Sequence, residues 1–379
     1  NTLTLIIDRL PPLVGGNIIA IGPQILQPDK NGVMTTMAGV DQKITLAAIG
    51  GATSIVLSAQ LPKAKAQLFT LTQSPTSGLW SGILSFQKPG MYTIKATSTD
   101  GAGNVEERSL NTIVVLEPGR LVNEGGMGEG ADLTLFYQDP TTATWAPWDG
   151  ASYGQKNPQT ADRSGEFRFM LPPGKYYLKA QGEELRTVVS DILTLAETTP
   201  LSTSIAMTKR PGFDLGGWSL HLPWFATSVT LELKKAGNPQ DPAHGSLLDK
   251  EVPSFTLPGT DGKNREAVDL RGKPTVLTFL TSWSPSFAEQ TPILEGLQQD
   301  EDLNVYPVMV MDNPAKIFVL AAVSGYDLTL LVDPDGLTVE PYAINTLPIH
   351  LFVSRRGVIK KIVSGVLSKE AIETNLVGL

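Results

Sequence analysis

The sequence contains no cysteine among its 379 residues. This absence excludes disulfide bonds, thiolate zinc sites, iron–sulfur clusters and a cysteine nucleophile from the chain as it stands. The three histidines, His221, His244 and His350, lie far apart and show no metal-binding spacing. We therefore predict no metal site and no cofactor, and the redox compartment cannot be inferred from cysteine usage.

Charged residues are also scarce, at 18% of the chain, and the net charge is −8. Lys and Arg never form a run longer than a pair, so nothing matches the electrostatic footprint of a nucleic-acid phosphate backbone. No uninterrupted apolar run reaches the ~18 residues of a membrane span, and we expect no transmembrane segment. The chain starts at Asn1 without signal-peptide features, which suggests a piece of a longer polypeptide.

The first 116 residues are rich in turns and predict a β-sandwich. Short β-prone runs, such as Lys43–Ala48 and Thr53–Ser58, recur between clusters of Gly, Pro and Asp. The segments 88–94 and 99–104, with a Pro-Gly turn, an inward Tyr and an Asp-Gly-Ala-Gly-Asn hairpin, resemble bacterial immunoglobulin-like repeats. Residues 1–12 either close a preceding repeat or form an ordinary first strand.

Residues 117–209 predict a second β-sandwich. Alternating strands such as Leu133–Tyr137 and Lys175–Ala180 are separated by tight turns. The stretch from Thr160 to Leu178, with its Pro-Pro-Gly turn before Tyr176-Tyr177, resembles the carboxypeptidase regulatory-like family. That resemblance implies a transthyretin-like sandwich of the kind common in secreted and surface proteins. Residues 210–250, rich in Gly, Pro and aromatic residues, are interpreted as a linker.

Residues 251–379 change pattern and predict an α/β domain. The continuous apolar run Thr275–Leu280 is typical of a central strand, and a helix is expected from about 287 to 299. Further strands and helices alternate until the predicted hairpin of Ile349–Val353 with Val358–Val363, followed by a last helix from Lys369. This order predicts a mixed, helix-flanked sheet.

Several motifs of this C-terminal region resemble the thioredoxin-fold redoxins of the extracytoplasmic thiol–disulfide oxidoreductase type. These motifs agree with that family in order and spacing. They are residues 252–257, 269–274, 279–287, Thr291-Pro292, 331–336, Tyr342 and 347–353. The resemblance implies a Trp-Cys-Pro-x-Cys turn in which a helix N-terminus lowers the pKa of the first thiol.

The two cysteine positions of that turn fall on Ser284 and Phe287. The degenerate turn is Trp283, Ser284, Pro285, Ser286 and Phe287, and a serine hydroxyl can neither ionise readily nor form a disulfide. Two explanations stay open. Either the redox pair was lost naturally, or a native single cysteine at position 284 was replaced by serine. In both cases we predict no dithiol exchange by this chain.

The resemblance also implies a cis-proline at Pro348, facing the turn and presenting a backbone edge for a peptide. We therefore predict a binding groove formed by Trp283, Ser284, Leu347 and Pro348, with an unidentified protein or peptide as partner. The leading prediction is an exported, surface-attached bacterial protein, extracytoplasmic and anchored through a segment not present here, whose thioredoxin-like domain binds or scaffolds. The alternatives are a purely structural or adhesive surface protein, in which the groove is filled, and an active single-cysteine redoxin.

Overall fold

The computed structural model describes residues 8–29, 31–123, 126–127, 130–183, 185–209, 212–215, 218–221, 227–234 and 247–379. Most of the predicted joint at 1–12 and the stretches 222–226 and 235–246 of the predicted linker, the latter with His244, lie outside these residues. Within them, no helix has both the length and the apolar character needed to cross a membrane.

The first region is built from two five-stranded sheets that face each other. Their strand orders are β2-β1-β4-β8-β7 and β3-β10-β9-β5-β6. The strands are β1 (Leu13–Ile21), β2 (Gln24–Ile25), β3 (Val33–Met37), β4 (Asp41–Ile49), β5 (Ala52–Gln60), β6 (Gln67–Thr70), β7 (Thr72–Gln73), β8 (Trp80–Ser85), β9 (Gly90–Asp100) and β10 (Val105–Leu116).

Alternating apolar side chains from both sheets form one core in this region. Ile44 and Leu46 of β4 point inward from one sheet, and Tyr92 and Ile94 of β9 point inward from the other. The Tyr92 hydroxyl donates a hydrogen bond to the Lys88 carbonyl oxygen at 2.9 Å, which satisfies its polar end inside the core. The two sheets therefore form a β-sandwich.

The second region is also all β. Its larger sheet has the order β14-β13-β18-β19-β25, with β15 and β20 attached to β13 and β18. The strands of this region are β11 (Gly119–Asn123), β12 (Gly126–Met127), β13 (Asp132–Gln138), β14 (Trp145–Pro147), β15 (Gln159–Thr160), β16 (Glu166–Phe167), β17 (Met170–Leu171), β18 (Gly174–Gly182), β19 (Leu185–Ser190), β20 (Leu193–Leu195), β21 (Thr199–Pro200), β22 (Ser204–Met207), β23 (Gly212–Leu215), β24 (Trp218–His221) and β25 (Thr227–Val229). A 3₁₀ helix covers Ala151–Tyr153.

Two parts of the predicted linker contact neighbouring sheets. In its middle, strand β25 pairs in parallel with β19, with Thr227 opposite Val188. Leu231, which follows β25, is buried in the core of the second region. At its C-terminal end, the Asp249 amide donates to the Ile359 carbonyl oxygen at 2.8 Å. Within the described residues, the middle and the C-terminal end of the 210–250 segment are thus held by neighbouring sheets.

The second region packs directly on the first. Met170 of β17 belongs to the core of the first sandwich. Arg168 donates from Nε to the Ala38 carbonyl oxygen at 3.2 Å, and its Nη2 lies 2.5 Å from a Glu166 carboxylate oxygen. The ion pair with Glu166 compensates the positive charge of Arg168 at its contact with the first sandwich.

The C-terminal region contains a five-stranded mixed sheet of order β30-β29-β28-β31-β32. The elements are β26 (Thr256–Pro258), β27 (Asn264–Glu266), a 3₁₀ helix (Ala267–Leu270), β28 (Thr275–Leu280), α1 (Pro285–Gln298), β29 (Asn304–Val310), α2 (Pro314–Ser324), β30 (Leu331–Asp333), β31 (Ile349–Val353), β32 (Ile359–Ser364) and α3 (Lys369–Leu376). Strands β28, β29 and β30 are parallel to one another, β31 is antiparallel to β28, and β32 is antiparallel to β31. The predicted mixed sheet is confirmed.

Every residue of β28 is buried. Leu277 and Phe279 face one apolar cluster, and Val276 and Leu280 face a second cluster on the opposite side. All three helices contribute to the second cluster, whereas the loop between β30 and β31 contributes to the first. The continuous apolar run in the sequence has this cause, because a strand covered on both faces needs no polar alternation.

A buried polar pair joins the two central strands. Thr278 of β28 lies opposite His350 of β31, and the threonine hydroxyl is 2.9 Å from His350 Nδ1. His350 Nε2 lies 3.0 Å from the Gly365 carbonyl oxygen, so Nε2 carries the proton and Nδ1 accepts from Thr278. Burial lowers the pKa of His350 to about 4, against a smaller opposing effect of the hydrogen bond to Gly365. The imidazole is therefore neutral in the folded protein at neutral pH.

This pair makes the stability of the domain sensitive to acid. Unfolded His350 binds a proton near pH 6.5 and folded His350 only near pH 4, so stability that is present above pH 6.5 is lost as the pH falls toward 4. We expect this residue to reduce the free energy of unfolding by about 3 kcal/mol at pH 4. Urea unfolding at several pH values should show a smaller acid loss in His350→Gln, which stays neutral throughout. Equal acid losses in the two proteins would contradict the prediction.

Candidate functional site

The candidate site lies where β28 ends and α1 begins. Ser284 has extended backbone angles and is the N-cap of α1, and Pro285 occupies the first helical position. The Ser284 side chain accepts a hydrogen bond from the Ser286 amide at 3.3 Å. Serine at the N-cap followed by proline is a favourable helix start, because the hydroxyl satisfies a free amide and proline has none to satisfy.

The hydroxyls of Ser284 and Ser286 form a buried pair. Their oxygens are 2.5 Å apart, and the two residues are 5% and 1% exposed. The resemblance assigns Ser284 to the position of the attacking thiol, and its hydroxyl is hydrogen-bonded to Ser286. The resemblance in the sequence did not single out Ser286 as a partner for it.

Phe287, which the resemblance assigns to the second cysteine position, belongs to the core. It is 7% exposed and packs in the cluster that contains Leu280, Met309 and Val332. Its carbonyl oxygen accepts a hydrogen bond from the Thr291 hydroxyl at 2.7 Å. An apolar ring at this place provides packing but no group that could resolve a mixed disulfide.

A buried carboxylate that the sequence analysis missed holds the approach to this turn. Asp312 is 6% exposed and accepts hydrogen bonds from the Thr281 hydroxyl at 3.0 Å, the Ser282 amide at 2.5 Å and the Ser282 hydroxyl at 2.8 Å. Asp312 follows β29, which runs parallel to β28. The position of Asp312 just after a predicted strand could have indicated this contact, because the carboxyl ends of neighbouring parallel strands meet at one edge of a sheet.

In the sequence, Trp283 lies between Ser282, which donates to this carboxylate, and Ser284, the N-cap of the helix. The residue is only partly exposed, and its indole Nε1 is buried without a hydrogen-bond partner among the residues that the structure describes. A buried donor without a partner is unfavourable by about 1–3 kcal/mol. The turn therefore keeps one unsatisfied polar group next to the Ser284 position.

The second half of the predicted groove precedes β31. The peptide bond between Leu347 and Pro348 is cis, as the sequence predicts. Because β28 and β31 are antiparallel with Phe279 opposite Ile349, the end of β28 and the residues before β31 lie at the same end of the sheet. Leu347 is only 4% exposed and Pro348 is buried. The four predicted groove residues therefore come from two segments at one sheet end, and three of them are buried.

The motif around Tyr342 is part of the same framework. The Tyr342 hydroxyl donates to the Pro253 carbonyl oxygen at 2.6 Å, and its ring lies 5.2 Å from that of Phe279. Burial raises the pKa of Tyr342, so the phenol remains protonated. This tyrosine ties the first motif of the domain to the loop that leads to Pro348.

Comparison with known protein families matches this C-terminal region. The AhpC/TSA family matches residues 248–362. The thiol-disulfide oxidoreductase ResA of Geobacillus thermodenitrificans (strain NG80-2) is 24% identical over 128 residues, 33% of this chain and 74% of ResA. The thioredoxin-like protein YneN of Bacillus subtilis (strain 168) is 27% identical over 132 residues, 34% of this chain and 77% of YneN.

Among solved structures, the pneumococcal exposed lipoprotein thioredoxin Etrx1 from Streptococcus pneumoniae strain TIGR4 is 27% identical. It covers 34% of this chain and 100% of its own chain, with a TM-score of 0.32. The C-terminal region of this chain is therefore an AhpC/TSA thioredoxin-fold domain that matches thiol-disulfide oxidoreductases and contains no cysteine.

Proposed function

We propose that this thioredoxin-fold domain is redox-inactive and serves as a binding or scaffolding module of a larger exported protein. The observation that carries the proposal is the occupation of both sulfur positions, by the Ser284 hydroxyl and by the buried Phe287 ring. Thiol–disulfide exchange needs a thiolate that attacks a disulfide sulfur and a second thiol that releases the enzyme. Neither group is present in this chain.

We also propose an extracytoplasmic location for the protein. The resemblance of residues 1–116 to bacterial immunoglobulin-like repeats and of 117–209 to the carboxypeptidase regulatory-like family supports an extracytoplasmic, surface-attached protein. The two β regions that precede the thioredoxin-fold domain are compatible with such modules. In this proposal Trp283, Ser284, Leu347 and Pro348 contact the partner of the domain. The groove contains no thiol, but the start of α1 and the segment before β31 still position its residues.

The proposal predicts that the protein does not reduce insulin in the presence of dithiothreitol above a control without protein. Exchange requires an electron pair to pass through sulfur, and the turn offers a hydroxyl and a phenyl ring instead. The measurement is the rate of insulin precipitation. Turnover above the control would overturn the proposal.

A second prediction restores the missing pair. The double variant Ser284→Cys with Phe287→Cys should form one intramolecular disulfide on mild oxidation and regain some exchange activity, because helix α1 still starts at this turn. The matched control is Ser284→Cys with Phe287→Ala, which creates a similar cavity without a second thiol. Thiol titration measures the difference. Two free thiols persisting in the oxidised double variant would show that the turn no longer has redox geometry.

A third prediction concerns Ser284→Cys alone. The introduced thiol lies at the N-terminus of α1, where unpaired amides and the helix dipole favour the thiolate, so its pKa should fall below the ~8.5 of a free thiol. The pH midpoint of iodoacetamide alkylation reports this pKa independently of how fast the buried thiol reacts. Ser324→Cys is the control, since Ser324 ends α2 at the opposite, negative pole of a helix. Equal midpoints in the two variants would refute the expected effect.

A further inference from the structure

The backbone just before Pro348 is paired with the first sandwich. Asn17 of β1 and Thr346 form a parallel β-bridge. The Asn17 side-chain amide also donates to the Asn345 carbonyl oxygen at 2.7 Å. Asn17 is 0% exposed and Thr346 is 2% exposed. The edge that the sequence analysis expected to be open for a peptide is therefore covered by a strand of the same chain.

Two glycines allow β1 to come this close. A Cβ atom on Gly16 would lie 2.9 Å from Leu347 Cγ and 3.6 Å from Ile344 Cγ2, whereas one on Gly15 would meet the flexible end of Met311. The pairing of β1 with β4 shifts register between Val14 and Asn17, so the glycines form an irregularity in the ladder of the sandwich. Such a bulge changes the direction of a strand locally. The glycines are therefore explained by contact with the C-terminal domain.

An arginine of the sandwich fixes the same loop from another strand. Arg108 of β10 donates from Nη2 to the carbonyl oxygens of Val339 and Ile344, at 3.0 Å each. Asn111, also on β10, places its side-chain amide 3.4 Å from the Asn345 carbonyl oxygen. A charged donor to backbone carbonyls gives stronger hydrogen bonds than a neutral one. The loop before Pro348 is thus held by β1 and β10 together.

We propose that the peptide-docking edge of the thioredoxin-fold domain carries an internal ligand, the segment Val14–Ile18 of β1. This inference rests on the proposed function and names the partner on the Leu347 side of that groove. The edge recognises an extended strand in three ways: main-chain pairing at Thr346, an asparagine amide at the Asn345 carbonyl, and a glycine, Gly16, where Leu347 leaves no room for a side chain. When β1 is displaced, the edge binds an extended peptide of the same kind in trans.

The test displaces β1 in the full chain with Gly16→Val. Valine suits a strand, so the sandwich is perturbed little, but its side chain must collide with Leu347. Gly101→Val on the same sandwich is the matched control, because among the described residues a Cβ atom there meets only Thr53, at 3.8 Å. We expect amide hydrogen exchange of residues 344–347 to rise at least tenfold in Gly16→Val, with β28 unchanged. The control should exchange like the wild type.

Binding in trans is measured with a fluorescein-labelled peptide Lys-Lys-Leu-Val-Gly-Gly-Asn-Ile-Lys-Lys, and a peptide with both glycines changed to alanine is the control. We expect Gly16→Val to bind the glycine peptide at least tenfold more tightly than wild type or Gly101→Val, and to bind the alanine peptide weakly. Equal binding by wild type and Gly16→Val would overturn the inference. Protection of residues 344–347 that falls on dilution of the wild type would also overturn it, because the occupant would then be a second copy.

A second variant covers the case in which Gly16→Val does not fold. The chain has no cysteine, so Asn17→Cys with Thr346→Cys can form only one intramolecular disulfide. Residues paired across neighbouring strands lie within the Cα separation that a disulfide spans. We expect the oxidised variant to be crosslinked within one chain and not to bind the peptide. A folded variant that forms no such crosslink overturns the inference. Insulin reduction by the wild type would instead overturn only the redox-inactive function.

Discussion

The C-terminal domain depends on the exclusion of water from both faces of strand β28. Its six residues are all buried, and each face contacts a different apolar cluster. A strand in this position cannot shift by one residue without exchanging the side chains of the two clusters, so its register is fixed. Everything at the candidate site is placed relative to the end of this strand. The turn at Trp283 follows it along the chain, and Pro348 is brought beside it by β31.

The turn itself is now held by hydrogen bonds that need no sulfur. The Ser284 hydroxyl caps the helix and contacts Ser286, and Asp312 accepts three hydrogen bonds from the two residues before Trp283. Removing that carboxylate would leave buried donors without partners, at a cost of about 1–3 kcal/mol for each. The local geometry therefore persists for reasons of stability even though the chemistry associated with such turns requires thiols.

Local features of the C-terminal domain could be predicted because their causes are local. The run Thr275–Leu280 coincides with β28, and the cis bond before Pro348 was expected from the motif around it. The cover on the docking edge was not predictable in this way. Asn17 and Asn345 are 328 positions apart, and the residues around neither position indicate a contact with the other. In the same way, Phe167, Phe169 and Leu171 enter the core of the second region. Met170 is out of phase with them, and the sequence does not indicate that it enters the core of the first sandwich.

The second region has a mechanical property that follows from its strand order. Its first strand, β11, and the strand β22 near its end are parallel neighbours, with Arg120 opposite Ser204 and Asn123 opposite Met207. A force that pulls residue 119 and residue 207 apart along the strands therefore acts on this whole ladder in shear, and its hydrogen bonds must break together rather than one at a time.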